Sequence, residues 1–336
     1  MKKIIAVSLV FAMFAASAMQ IGFRMGMWES KSGERPIGGW DGLKFVAEEN
    51  GVSIRISNAD IEIGILTSKN EENWEEYTTE NWITLQKDET LYFKAWEKGN
   101  HYFLATFETV GILRAEGNIM SLLDGKNFKS LDIEGRDNCF RRAFINCKGL
   151  KTAPKLPARI VPRDCYLEMF AGCENLEVAP ELPATIVRQG AYFEMFRDCT
   201  KLKTTPHLLA TNLTQNAYNG MFKGCSSLES AKDLPRPTRI TGSYIYKQMF
   251  ANCTSLTNAP VINIIKGASD FDIQEYVSMF EGCLSLRISE NGGEGKKILD
   301  LTDDPSIQQS QTYDMFKNTG GTFTGTPTIG NTYWCY

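Results

Sequence analysis

Histidine is nearly missing from this 336-residue chain, with only His101 and His207 present. That scarcity weighs against histidine-built zinc sites and against mechanisms that use imidazole as the base. A basic excess is missing too. Lys and Arg number 36 against 40 Asp and Glu, for a net charge of -4. The chain therefore offers no electrostatic footprint for nucleic acid or an anionic membrane surface. Beyond the N-terminal segment, no run is apolar for the roughly 20 residues that spanning a bilayer takes. Motifs of chemistry are also lacking. Asn291-Gly-Gly-Glu-Gly295 has neither the spacing nor the Lys-Ser/Thr end of a phosphate loop. Glu290, Glu294, Asp300, Asp303 and Asp304 miss the ligand spacing of a calcium loop and read as a solvated insertion. No catalytic residue, cofactor or metal ligand is assigned.

The start of the chain reads as an export signal. Lys2 and Lys3 precede a mostly apolar run from Ile4 to Ala15, and Ala16-Ser17-Ala18 fits a small-residue cleavage site. Residues 1–18 are expected to be a signal peptide and 19–40 a linker. The mature chain is expected to be secreted or at the cell surface, with no membrane insertion after signal removal. Disulfides are permitted there, yet eight of the nine cysteines fall in two columns, Cys335 standing outside them. Equivalent positions in stacked repeats face the same way about 4.8 Å apart, which suits disulfide geometry poorly. Buried thiols acting as small hydrophobes are the preferred reading. A Cys139–Cys165 or Cys139–Cys147 bridge stays open, and Cys335 reads as a terminal clip or a free thiol.

From about 41 to 110 apolar residues alternate with polar ones. Val52, Ile54 and Ile56 alternate with Ser53, Arg55 and Ser57, and Ile61, Ile63 and Ile65 do the same. Trp82–Leu85, Leu91–Trp96 and Tyr102–Phe107 read as further strands of a small β-sandwich-like domain. Its aromatics are expected to pack a core rather than form a sugar platform. Residues 111–136 are expected to cap a C-terminal solenoid, with a short helix at Ile119–Leu123 and a strand around Leu131–Ile133.

The solenoid is read from a repeat. Cys165-Tyr-Leu-Glu-Met-Phe-Ala-Gly-Cys173-Glu-Asn-Leu176 recurs, aligned on Phe144, Phe170, Phe196, Phe222, Phe250, Phe280 and, degenerately, Phe316. The gaps are 26, 26, 26, 28, 30 and 36 residues, the signature of stacked repeating units. Tyr166, Met169 and Phe170 fall at i, i+3 and i+4, which predicts two turns of helix per repeat, with Asn138, Asp164 and Asn216 as caps. Two residues after each Phe stand Asn146, Gly172, Asp198, Gly224, Asn252, Gly282 and Asn318, read as helix stops. Leu150, Leu176, Leu202, Leu228, Leu256 and Leu286 are expected to point inward from a short extended half. The predicted fold class is α+β: the β-sandwich-like domain, then a leucine-rich-repeat-type solenoid over 137–320 with a short strand and short helix per repeat. A β-type cap is expected over 321–336.

The phrase Cys165 to Ala184 resembles the BspA-like leucine-rich repeat group of bacterial surface proteins, over roughly 139–320. Asn73-Trp-Glu-Glu-Tyr77 and Leu91-Tyr-Phe-Lys94 resemble, less specifically, the β-rich domain that often precedes such repeats. The resemblance implies cell-surface or secreted binding, adhesion included, with a host or neighbouring-cell protein or glycan as partner. The chain is expected to be a monomer and not an enzyme. A secreted hydrolase acting on carbohydrate or peptide, with the repeats as platform, and a structural component of an envelope or phage particle are the alternatives. The candidate ligand face is the residue after each Leu: Lys151, Glu177, Lys203, Glu229, Thr257 and Arg287. The competing reading of the first four is an electrostatic ladder that sets register.

Overall fold

The two-residue alternation of the N-terminal region builds two sheets in the computed structural model, which describes residues 40–57, 64–78, 81–96, 102–263, 274–292, 295–302 and 309–336. The expected signal peptide (1–18), most of the linker, His101, Ile61, Ile63, Glu294, Asp303 and Asp304 lie outside the described residues. The first strands are β1 (Lys44–Ala47), β2 (Val52–Ser57), β3 (Ile65–Ser68), β4 (Glu75–Glu76), β5 (Ile83–Leu85), β6 (Thr90–Ala95), β7 (Thr106–Val110), β8 (Leu113–Glu116) and β9 (Leu150–Thr152). One sheet runs β4-β3-β6-β1-β8-β9, the other β5-β2-β7. Phe45, Phe93 and Phe107 meet between them at 5.1 to 5.5 Å, and all three are fully buried.

This first sheet does not stop at the repeats. β8 pairs in parallel with β9, Leu113 opposite Leu150, and β9 belongs to the first repeat. Phe107 stacks on Phe144 at 5.2 Å just as Phe144 stacks on Phe170 at 5.3 Å. Cys147 donates its S–H to the Phe107 carbonyl, as Cys173 does to Phe144. Residues 103–118 are thus a coil zero that covers the first repeat. The sealing expected of 111–136 falls in part to Phe103 and Phe107, upstream of it. Within 111–136, Ile119–Leu122 forms one turn of 3-10 helix and Phe128–Ser130 another. Leu131–Ile133 is not a strand.

The repeats correct the α+β expectation. Among the described residues there is no α-helix, only three short 3-10 segments, the third at Gln309–Thr312. The stretches predicted as helix are chains of turns, so the helix-bearing, leucine-rich-repeat-type architecture does not form. In Asp164–Cys173 every fourth residue is left-handed: Asp164, Glu168 and Gly172 have φ of 54, 51 and 74°. An α-helix tolerates no such residue in its interior. Hydrogen bonding agrees. Leu167, Met169, Ala171 and Cys173 donate three residues back. Tyr166, Glu168, Phe170 and Gly172 donate instead to Ala191, Phe193, Met195 and Arg197 of the next coil. Half of the amides therefore tie one coil to its neighbour, where a helix would use them internally.

A period of four is close enough to 3.6 to put Tyr166 and Phe170 on one face, and that face is the core. Phe144, Phe170, Phe196, Phe222, Phe250, Phe280 and Phe316 form a single column with successive rings 5.3 to 5.7 Å apart. Tyr166, Tyr192, Tyr218, Tyr246 and Tyr276 form a second. The six Leu of the repeat are fully buried, as expected. Short parallel strands β10 (Ile160–Val161), β11 (Ile186–Val187), β12 (Asn212–Thr214) and β13 (Arg239–Thr241) close the far side of the coils. The stack ends in β14 (Arg287–Glu290), β15 (Lys296–Asp300), β16 (Gly320–Gly321) and β17 (Thr332–Cys335), with Phe323 and Tyr333 against the last Phe316 ring.

The expected helix caps and stops have a different role. Asn138, Asp164 and Asn216 have φ of 63, 54 and 58°, not the extended backbone of an N-cap. The other column alternates strictly, Asn146, Gly172, Asp198, Gly224, Asn252, Gly282, Asn318. A Cβ at Gly172, Gly224 or Gly282 would collide with the side-chain oxygen of Asn146, Asp198 or Asn252. The Asn146, Asp198 and Asn252 side chains each lie over the next coil, so that coil must carry glycine.

Candidate functional site

The residues of the candidate ligand face are brought together as a row, one per coil. Glu177 donates its amide to the Lys151 carbonyl, Glu229 to Lys203 and Thr257 to Glu229. Leu176, Leu202 and Leu228 anchor the row from inside, each fully buried. Glu177, Lys203, Glu229, Thr257 and Arg287 are exposed. The row's two ends are occupied. Lys151 pairs with Glu48 at 2.9 Å, which raises the affinity of its amine for a proton. The Arg287 guanidinium lies 5.1 Å from the Tyr336 ring.

The electrostatic-ladder reading does not match this geometry. At its first step Glu177 does act through space on Lys151, but among the described residues no ion pair joins Glu177, Lys203 and Glu229 to one another. Pairing between coils occurs elsewhere, as in Lys148–Glu174 at 2.7 Å. On the turn side Glu168, 8% exposed, is held between Arg142 and Arg197. Arg197 also binds Glu194 and Asp198, each at 2.7 Å. Burial works to lower its pKa, and these carboxylates outweigh that and raise it. The network spans three coils and sets their register.

The cysteine columns are structural. All nine cysteines are buried and free. Burial pushes the Cys147 and Cys283 thiols up to about 12, so neither is a thiolate nucleophile near neutral pH. Cys199, Cys225, Cys253 and Cys283 each donate to the Phe carbonyl of the preceding coil at 3.0 to 3.2 Å. Cys335 donates to the Thr257 carbonyl and ties the C-terminal strand to the row. In the acidic insertion, Lys297 and Thr302 hold the Asp300 carboxyl down to about 2. Glu290 accepts from Tyr333 at 2.6 Å and Asn331 at 2.7 Å. Both carboxylates are engaged by the protein itself.

Sequence reasoning missed a cleft. Tyr102, Leu104, Thr106, Asp137, Asn138, Arg141 and Arg142 line a space of about 680 Å³ where coil zero meets the first repeat. Tyr102 and Leu104 are 42% and 43% exposed, although their neighbours Phe103 and Ala105 are fully buried. The strand expected over Tyr102–Phe107 begins only at Thr106, so Tyr102 and Leu104 lie in the irregular segment before it; their apolar side chains in an alternating pattern are the signal that was available. Of the dense N-terminal aromatics, Phe93 and Phe107 are core as expected, whereas Trp82, Trp96 and Tyr102 are exposed.

No family model matches the sequence, and no curated protein or solved structure matches it.

Proposed function

We propose that the chain is a non-enzymatic binding protein, exported by its N-terminal segment, which engages a protein or glycan partner along the stacked repeats. The observation that carries this reading is the row Glu177, Lys203, Glu229, Thr257. Its backbone is hydrogen-bonded from Lys203 through Glu229 to Thr257, and Glu177 is bonded to Lys151; its side chains are exposed, and no ion pair joins Glu177, Lys203 and Glu229 among the described residues. A hydrogen-bonded backbone that presents exposed side chains at one repeat spacing meets a long partner at little ordering cost. Stacked repeats offer such extended faces.

The test is a binding screen of the chain against extracellular-matrix proteins and a glycan panel, beside a variant carrying Glu177→Lys, Lys203→Glu and Glu229→Lys. Saturable binding that the variant loses supports the reading. Binding indifferent to all three reversals removes the row as the site. A chain found only in the cytoplasm removes export.

A further inference from the structure

We infer that the cleft between coil zero and the first repeat binds an acidic sugar, a hexuronate unit of a polysaccharide, with Arg141 taking the carboxylate and Tyr102 the ring. The inference rests on the binding-protein reading and assigns that function a second, independent site.

The charges of the cleft sort themselves by partner. Arg142 is committed to Glu168. Asp137 accepts from the Arg163 backbone amide and pairs with its guanidinium, both at 3.2 Å. Nearby Arg188 is paired with Glu134 at 3.0 Å. Arg141 is exposed and forms no ion pair or side-chain hydrogen bond among the described residues. Asp164, on which Arg141 acts through space, is itself pushed toward the neutral form by burial. One guanidinium of the cleft is thus left free in a chain that is net negative. A guanidinium binds a carboxylate through two parallel N–H donors.

The other walls suit a sugar better than an acidic peptide. Tyr102 and Leu104 offer apolar surface to the C–H face of a pyranose. Thr106, Asn138 and Asp137 place a hydroxyl, an amide and a carboxylate around it, donors and acceptors together, as a polyhydroxylated ring requires. The space of about 680 Å³ lies within the usual range of small-ligand sites, roughly 300–1,000 Å³.

The floor is held in place. Asn138, Phe140 and Arg142 have φ of 63, 64 and 57°. In the later coils the residue equivalent to Phe140 is a tyrosine with ordinary φ, as at Tyr166 and Tyr192. Here the Phe140 amide donates instead to the Phe103 carbonyl at 2.9 Å, so the two walls are tied directly. Left-handed backbone of this kind persists where surrounding structure over-determines it.

Calorimetric titration of the chain with tri-galacturonate, neutral maltotriose and tri-glutamate tests the proposal. Tri-galacturonate is expected to bind saturably, and the neutral trisaccharide and the peptide at least about tenfold more weakly, the equivalent of one charge-assisted contact. Arg141→Ala and Arg141→Gln are each expected to lose about tenfold for tri-galacturonate, Arg141→Lys less, and Tyr102→Ala a comparable amount. Unchanged circular dichroism shows that the variants fold. Equal binding by Arg141→Gln and the parent, equal binding of tri-glutamate, or no binding of tri-galacturonate overturns the assignment. The variant reversed at Glu177, Lys203 and Glu229 is expected to bind tri-galacturonate normally. Failure in the row therefore reports on the general reading, and failure at Arg141 on the cleft.

Discussion

The β-sheets of the N-terminal region and the coils behind them solve the same problem in opposite ways. In β6 half-buried and buried residues alternate one by one, and that alternation fixes the register of the ladder. In the coils the apolar residues recur at a spacing of four. Half of the amides close turns and half reach the next coil. The sheets use side-chain alternation to define a face. The coils use left-handed residues to define one. The lesson is that an apolar spacing of i, i+4 reports which residues share a face, and not which backbone carries them.

The two regions nonetheless share one core, because Phe107 belongs to both. The largest effects should come from breaking that continuity. Phe93→Ala and Phe196→Ala, one in each region and both fully buried, are each expected to cost about 3–5 kcal/mol. Chemical denaturation followed by tryptophan emission and by circular dichroism should show one shared transition for both variants. Separate transitions for the two probes would divide the molecule at Phe107.

A smaller effect is expected at Glu275. It occupies the column of Cys165, Ala191, Ala217 and Ile245, is 6% exposed, and has one carboxyl oxygen with no partner. Burial raises its pKa, opposed only by its own backbone amide. The folded state thus favours the protonated acid. Its contribution to stability is complete below the ordinary carboxylate range and is lost as pH rises through the raised value. Glu275→Gln is expected to gain about 1 kcal/mol near pH 8 and to flatten the decline of stability from acid to neutral pH. A variant no more stable at pH 8 than at pH 4, relative to the parent, would contradict this.

The smallest effects belong to the exposed row. Glu177→Ala and Lys203→Ala are expected to change stability by less than about 0.5 kcal/mol, which thermal melting can check. A larger loss from either would revive a register-setting role for these charges.

These same elements show how much was legible in the chain. The period-two strands, the inward Leu column, the Phe and Tyr faces and the buried thiols were readable from residue type and spacing. The backbone of the repeat was not, because Tyr166, Met169 and Phe170 fit a helix and a chain of four-residue turns equally well. The strict alternation of Asn or Asp with Gly was visible and held the answer. A helix stop asks only for residues that tolerate a left-handed backbone, and gives no reason for neighbouring repeats to take turns. Strands β10 to β13 were hidden by the prolines around them. The exposed row was readable as a pattern, and the cleft was not. Tyr102 and Arg141 lie 39 residues apart, and only the seating of coil zero on the first repeat brings them together.

The central claim, that Asn146, Asp198 and Asn252 each lie over the glycine of the next coil, is tested most directly by a double-mutant cycle at Asn146 and Gly172. Gly172→Ala alone should lose about 1 kcal/mol for its left-handed backbone, plus the cost of the collision with the Asn146 side chain. Asn146→Gly should remove the collision, so the double variant should recover part of the loss. The coupling between the two sites should be on the order of 1 kcal/mol or more, and additivity within about 0.3 kcal/mol would contradict the account.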